Sequence, residues 1–251
     1  MPDAIPVASK EGYKKTGLAR ILFSVLENVK RDQGVNLTVE VGQTKRANVG
    51  EIRRRNEELI LQAAADEFVK HGYKGTSVQA IADRVNLPKA NLLYYFKSKA
   101  GIYKALLKDI LTLWNDGFSE QAAMLPPDVV LRNYIIGKMQ YSRTHPKESK
   151  IFAQEIIQGA PIIADSIQFP MVNWAAGKAT IIQSWIDQGL IRPVEPLHLL
   201  FLIWGATQFY ADFDTEIQLI KGAPMSDEEF ENAKEFVVDM VLRGLQVADA
   251  Q

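Results

Sequence analysis

The stretch Ser77-Val78-Gln79-Ala80-Ile81-Ala82-Asp83-Arg84-Val85-Asn86-Leu87-Pro88-Lys89-Ala90-Asn91-Leu92-Leu93-Tyr94-Tyr95-Phe96 holds two helix starts and one tight turn. Thr76 or Ser77 offers a hydroxyl to cap a short helix whose Val78, Ile81, Ala82 and Val85 share one face. Asn86 marks the turn, because Asn tolerates positive φ. Pro88 opens the next helix, Lys89 to Tyr95, where its missing N–H leaves no helix bond unmade. A short capped helix, a tight turn and a second helix with its first turn facing outward make a helix-turn-helix, which fits a DNA major groove about 12 Å wide. In that first turn, with Pro88 and Ala90, Lys89 suits guanine O6/N7 and Asn91 suits adenine N6/N7. Hydroxyls of Tyr94, Tyr95 and Thr76 or Ser77 suit phosphates. Lys97 and Lys99 flank the following helix N-terminus, whose free N–H groups favour a phosphate. Arg53, Arg54 and Arg55 stand ahead of the preceding helix as a basic arm would. Ordinary three-helix bundles share this anatomy, and the basic bias of the segment favours the DNA reading.

Upstream, Ile60, Ala63, Ala64 and Phe68 line one face of a helix that ends at Gly72. Downstream, Ser98 caps a long helix, Ala100 to about Phe118. Pro126-Pro127 then breaks the chain, and Asp128 caps a helix running to about Thr144. Further helices are expected over Lys147–Gln158, Ile162–Gln188 (with Pro170 a weak point inside it), Pro196–Phe213 and Ser226–Val247. Residues 1–50 read differently. Leu18 to Val29 has helical spacing, and Val35, Leu37, Val39 and Val41 alternate with polar residues as a short strand would. About forty residues with one helix and one strand are too few for an independent core. The expected fold is all-α: an N-terminal extension over 1–50, a three-helix helix-turn-helix domain over 51–98, and a larger helical effector-binding and dimerisation domain over 99–251.

Of 251 residues, 47% are hydrophobic and 24% charged, an ordinary globular composition. The net charge of −1 conceals an asymmetry. Residues 1–50 carry +3, residues 51–110 carry +4 and residues 111–251 carry −8. A basic front on an acidic back fits a polyanion-facing module joined to something else. With no Cys, disulfides, thiolate zinc sites and Cys nucleophiles are excluded. Three scattered His make a metal site unexpected, and no catalytic arrangement or cofactor-binding loop stands out. The longest apolar run, Leu199 to Trp204, is too short to span a membrane. No apolar segment near the N-terminus resembles a signal peptide, so a cytoplasmic protein is expected. No Met lies between Met1 and Met124, so an internal ATG start for the helical part is not expected.

The pattern Ile60-Leu61-x-Ala63-Ala64-x-x-x-Phe68-x-x-x-Gly72-Tyr73-x-Gly75-Thr76-Ser77-x-x-x-Ile81-Ala82, followed by Leu92-Leu93-Tyr94-Tyr95-Phe96-Lys97-Ser98-Lys99, resembles the N-terminal domain of the TetR family of transcriptional regulators. The resemblance implies an all-α homodimer that binds a palindromic operator and releases it when a small molecule enters the C-terminal body. Two departures stand out: Asn86 where the family usually has Gly, and Ala100 where it usually has Glu. Ile203-Trp204-Gly205-Ala206-Thr207-Gln208-Phe209-Tyr210-Ala211-Asp212-Phe213, with Phe152-Ala153-Gln154-Glu155 and Gly159-Ala160-Pro161, is similar to the pyrimidine-utilisation (Rut-type) branch.

In that branch the effector is uracil or thymine, and the resemblance carries its pocket onto Trp114, Arg132, Trp204 and Gln208, with Arg132 standing where the branch can carry Lys. Such a set suits a flat ring. Indole faces stack on it, a carboxamide pairs with an N–H and a C=O, and a guanidinium donates to the remaining carbonyl. Trp204 and Gln208, four apart, share a helix face. The implied protein is a repressor without cofactor. Its implied dimer interface lies on helices 196–213 and 226–247, the second carrying the stripe Phe230, Ala233, Phe236, Val237, Met240, Val241, which could equally cap the chain's own core. A regulator answering a lipophilic drug or acyl ligand remains the alternative, with a helical enzyme more remote.

Overall fold

The computed structural model describes residues 44–115, 118 and 124–246. The helix expected over 18–29 and the strand over 35–41 lie outside them. The chain divides into two units, residues 1–52 and 53–251. Of the first, the described part is the opening of helix α1 (Thr44–Gly75), which starts upstream of the boundary placed at residue 51. The remaining helices are α2 (Val78–Arg84), α3 (Lys89–Phe96), α4 (Lys99–Asn115), α5 (Pro127–Thr144), α6 (Pro146–Ile157), α7 (Ala164–Asp187), α8 (Pro196–Asp212), α9 (Asp214–Lys221) and α10 (Asp227–Gly244). Among the described residues there is no strand. The architecture is all-α, as the periodicity requires.

Local chemistry accounts for the head. Gly72 leaves the helical region at φ 66, ending the regular part of α1 where the sequence places its glycine stop. Ser77, rather than Thr76, caps α2: its Oγ accepts from Ala80 N–H at 3.0 Å. Asn86 adopts φ 52, so it does serve as the left-handed turn residue. Pro88 precedes α3 as its N-cap. Ser98 Oγ accepts from Gly101 N–H at 3.0 Å and so caps α4. At Gly101 a Cβ would lie 1.8 Å from the Phe96 carbonyl oxygen, so the α3–α4 corner requires glycine. Ala64, Phe68, Ile81, Ala82 and Leu92 close the head core, which runs without a gap into Ile102, Leu107, Trp114, Ile151 and Phe152 of the body.

A second core gathers Leu131, Tyr134, Ile135, Met139, Ile182, Trp185, Leu200, Ile203 and Val238. Helix α7 runs unbroken through Pro170. Its two halves are anchored separately, Ile167 in the first core and Ile181, Ile182 and Trp185 in the second, which holds the helix together across the missing bond. Helix α9 goes beyond the sequence expectation: it is eight residues long, has no buried residue and stops at Gly222 (φ 77). The apolar stripe of α10 divides. Phe230, Val237 and Val241 pack into the chain's own core, while Phe236 and Met240 face outward.

Candidate functional site

The second helix of the head presents a polar edge. Pro88, Lys89, Ala90 and Asn91 are exposed at the start of α3, while Leu92 behind them is fully buried. Tyr94 is 67% exposed one turn on, with Lys97 Nζ 6.0 Å from its ring centre. Ser77 is also exposed. These side chains are free to meet a groove.

Other residues expected at the DNA surface are engaged inside the head. Thr76 is buried, and its Oγ1 donates to the carbonyls of Glu67 (3.0 Å) and Gly72 (2.9 Å), which locks the entry to α2. Lys99 Nζ donates to the carbonyls of Tyr73 (2.8 Å) and Thr76 (2.9 Å) and sits 4.4 Å over the Tyr73 ring. The ammonium therefore braces the head rather than reaching out. Tyr95 is half-buried and its hydroxyl accepts from Asn56 Nδ2 at 3.2 Å. Arg53, Arg54 and Arg55 lie within α1, not ahead of it. Arg53 and Arg54 pair with Glu57 and Glu58 one turn on.

The body holds a cavity of about 60 Å³ lined by Leu111, Trp114, Tyr134, Lys138, Phe152, Met171, Trp174, Trp204 and Gln208. Trp114, Trp204 and Gln208 thus meet in one place. Arg132 does not join them: it donates both ways to the Glu235 carboxylate (2.9 and 2.8 Å) in an exposed pair. Leu131, Tyr134, Ile135, Lys138, Met139 and Ser142 form the buried stripe of α5, and Arg132 is one residue out of phase with it.

The cation at the cavity is Lys138, which sequence reasoning missed. A lysine inside an apolar i, i+3, i+4, i+7 stripe was the available signal. Lys138 is 3% exposed, and its Nζ lies 4.6 Å over the Trp114 ring. Among the described residues no hydrogen-bond acceptor receives it. Burial, then the nearby like charge of Lys178, lower its pKa to about 7, against a smaller opposing pull from Asp212. Burial alone lowers Lys178 to about 8. Asp212 is raised by burial, while the Ser149 hydroxyl (2.6 Å), Lys150 and Lys138 act to lower it. Trp114 Nε1 is buried without a hydrogen-bond partner. Trp204 Nε1 donates to Tyr134 Oη at 2.7 Å, leaving the tyrosine its own O–H as a donor. The lining is therefore rich in donors and aromatic faces, and Gln208 adds both a donor and an acceptor.

Residues 60–106 match the family model for bacterial regulatory proteins of the tetR family, and residues 107–248 match the YcdC-like C-terminal region. The chain belongs to the TetR family. It is 35% identical to the HTH-type transcriptional regulator RutR of Escherichia coli (strain K12) over 191 residues, 76% of this chain and 90% of that protein. The HTH-type transcriptional repressor NicS of Pseudomonas putida is 24% identical, over 76% of this chain and 93% of its own length. Among solved structures, AibR in complex with isovaleryl coenzyme A and operator DNA superposes with a TM-score of 0.57 at 22% identity, covering 73% of this chain and 96% of AibR. PfmR, a TetR family regulator from Thermus thermophilus, gives 0.57 at 23% identity, covering 74% and 98%. These structures share the fold. This TetR-family protein is a DNA-binding transcriptional regulator. Among the described residues no helix is long and apolar enough to cross a membrane.

Proposed function

We propose that this regulator is a repressor that releases its operator when a pyrimidine base, uracil or thymine, enters the body cavity. The observation that carries the reading is the coincidence, in one small cavity, of three indole rings, an amide, a buried lysine and the unpartnered Nε1 of Trp114. At about 60 Å³ the cavity is smaller than the roughly 150 Å³ one that takes benzene, so a flat ring enters by displacing lining side chains, and a drug-sized ligand, with sites of roughly 300–1,000 Å³, would displace far more. Trp204 supplies a face, Gln208 pairs with an N–H and a C=O, and Lys138 and Trp114 Nε1 donate to the remaining oxygen. Lys138 replaces Arg132 as the cationic donor. Arg132 lies outside the ligand set.

The functional unit is a homodimer on a palindromic operator. The support is an apolar surface the single chain leaves bare: Phe201, Leu202 and Phe209 on α8, Phe236 and Met240 on α10. Two-fold symmetry sets the recognition helices about one DNA turn, ~34 Å, or a multiple of it apart. Lys89 and Asn91 read bases, and Ser77 and Tyr94 contact phosphates.

Calorimetry of the purified protein with uracil, thymine and a panel of lipophilic compounds tests the ligand, and mobility shifts of a duplex from beside its own gene test the release. Saturating uracil is expected to lower DNA affinity, and an unchanged shift rejects the reading. One observation favours the acyl alternative. A second cavity of about 260 Å³, with Leu107, Ile163, Ile167 and Pro170 in its walls, shares Leu111 and Trp174 with the first. If the two merged they would hold a chain such as the isovaleryl group in AibR.

A further inference from the structure

Glu155 lies outside the cavity, yet three helices that wall the cavity converge on its carboxylate, which is 3% exposed. It stands on α6 three residues after Phe152, on the same face. Its Oε1 accepts from the N–H groups of Ile162 (2.6 Å) and Ile163 (3.2 Å), which lead into α7 and so to Met171 and Trp174. Its Oε2 accepts from Tyr103 Oη at 3.1 Å, and Tyr103 lies on α4 about three turns before Trp114. Phe152 and Trp114 themselves meet edge to face at 5.2 Å in the cavity wall.

The same tyrosine reaches the head. Its ring packs edge-on against Phe68 (4.9 Å) and Tyr73 (5.0 Å). The Tyr73 carbonyl holds Lys99, which also grips the carbonyl of Thr76, next to the cap of α2. Burial, and the neighbouring carboxylate after it, keep the Tyr103 phenol protonated by pushing its pKa up.

We propose that Glu155, acting through Tyr103, is the positioning residue that passes the state of the cavity to the DNA-reading head. The carboxylate holds α4, α6 and α7 in one relative setting. A ligand that displaces Phe152 or Trp114 moves it, and Tyr103 carries the displacement to Tyr73, Lys99 and the start of α2. Stripping donors from a buried carboxylate is costly, so the network shifts as a unit rather than dissolving. This inference rests on the reading that the cavity takes the effector. Coupling of this kind requires that each site bias the other.

The test uses the full-length protein and two variants. Tyr103→Phe keeps the ring contacts and removes the O–H; Glu155→Gln keeps the size and removes the charge. The decisive arm needs no effector: amide hydrogen exchange of residues 155–165, with and without a duplex from beside the gene. In the wild type, DNA is expected to change exchange at Ile162 and Ile163 by about fivefold or more, as reciprocal coupling requires. In Tyr103→Phe, with melting temperature and DNA affinity retained, that change is expected to vanish. Should Tyr103→Phe not fold, Glu155→Gln gives the same readout. A change that persists in a folded variant, or no change in the wild type, overturns the proposal. In the second arm, uracil is expected to bind Tyr103→Phe as it binds the wild type while releasing DNA at least about fivefold less effectively. A wild type that ignores uracil sinks the pyrimidine reading and leaves the exchange arm to decide the role of Glu155.

Discussion

Replacing Lys138 with Met is expected to stabilise the protein near neutral pH and to flatten the dependence of its stability on pH. Lys138 loses its proton at about 7 in the folded protein, against an ordinary value of 10.5. Between those values the unfolded chain binds the proton and the folded chain does not, so stability rises with pH. Integrating between the two values, the lysine costs folding about 4 kcal/mol at pH 7 and about 2 kcal/mol at pH 9. The penalty is fully present below pH 7 and disappears as pH passes 10.5. Lys178, lowered to about 8, adds a smaller rise of about 1 kcal/mol over the same window. Urea unfolding at pH 7, 8 and 9 should therefore show the wild type gaining about 3 kcal/mol and Lys138→Met only about 1 kcal/mol. The variant should be the more stable at pH 7, as apolar replacement of buried charge often is. Equal pH slopes in the two proteins would mean that Lys138 titrates in the fold as it does in the unfolded chain, and the buried, water-stripped setting described for it would be wrong.

Five further substitutions have outcomes set by the same structure. Arg132→Ala should leave uracil binding by calorimetry unchanged and cost at most about 1 kcal/mol in urea unfolding, because it breaks only an exposed pair with Glu235. Gly101→Ala should destabilise the protein by about 1–3 kcal/mol, since its methyl carbon meets the Phe96 carbonyl oxygen; an unchanged midpoint contradicts the corner described. Asn86→Ala should cost about 1 kcal/mol through its positive φ, read by the same unfolding assay. Asn91→Ala should weaken operator binding by about 1–3 kcal/mol and relax specificity at one base pair, whereas Lys99→Met should act first on the thermal melt, because its ammonium is held by two carbonyls of the head.

The head was legible because its signals are local. A cap, a left-handed turn residue and an apolar face at helical spacing each act within a few residues, and Ser77, Asn86, Ile81 and Ala82 stand where those signals put them. The same local signals do not reveal what holds Thr76 and Lys99 inside the head. Their hydroxyl and ammonium look free in the sequence, and only the fold brings the carbonyls of Glu67, Gly72 and Tyr73 within reach. Helix α9 escaped because it is only eight residues long: Ile217 and Ile220 stand three apart, too brief a run to mark a helix of its own.

In the body the division is sharper. Composition and periodicity settled that the chain is all-α, with a basic front and an acidic back, and the head motif placed it in its family. Trp114, Trp204 and Gln208 were reached through likeness to relatives, not through any local rule. That Trp114 and Gln208, ninety-four positions apart, line one cavity, that Arg132 turns away to Glu235, and that Lys138 takes the buried place were decided by tertiary packing alone. Helix phase is written in the chain. Which buried face meets which, and therefore which cation is stripped of water, depends on how α4, α5 and α8 come together.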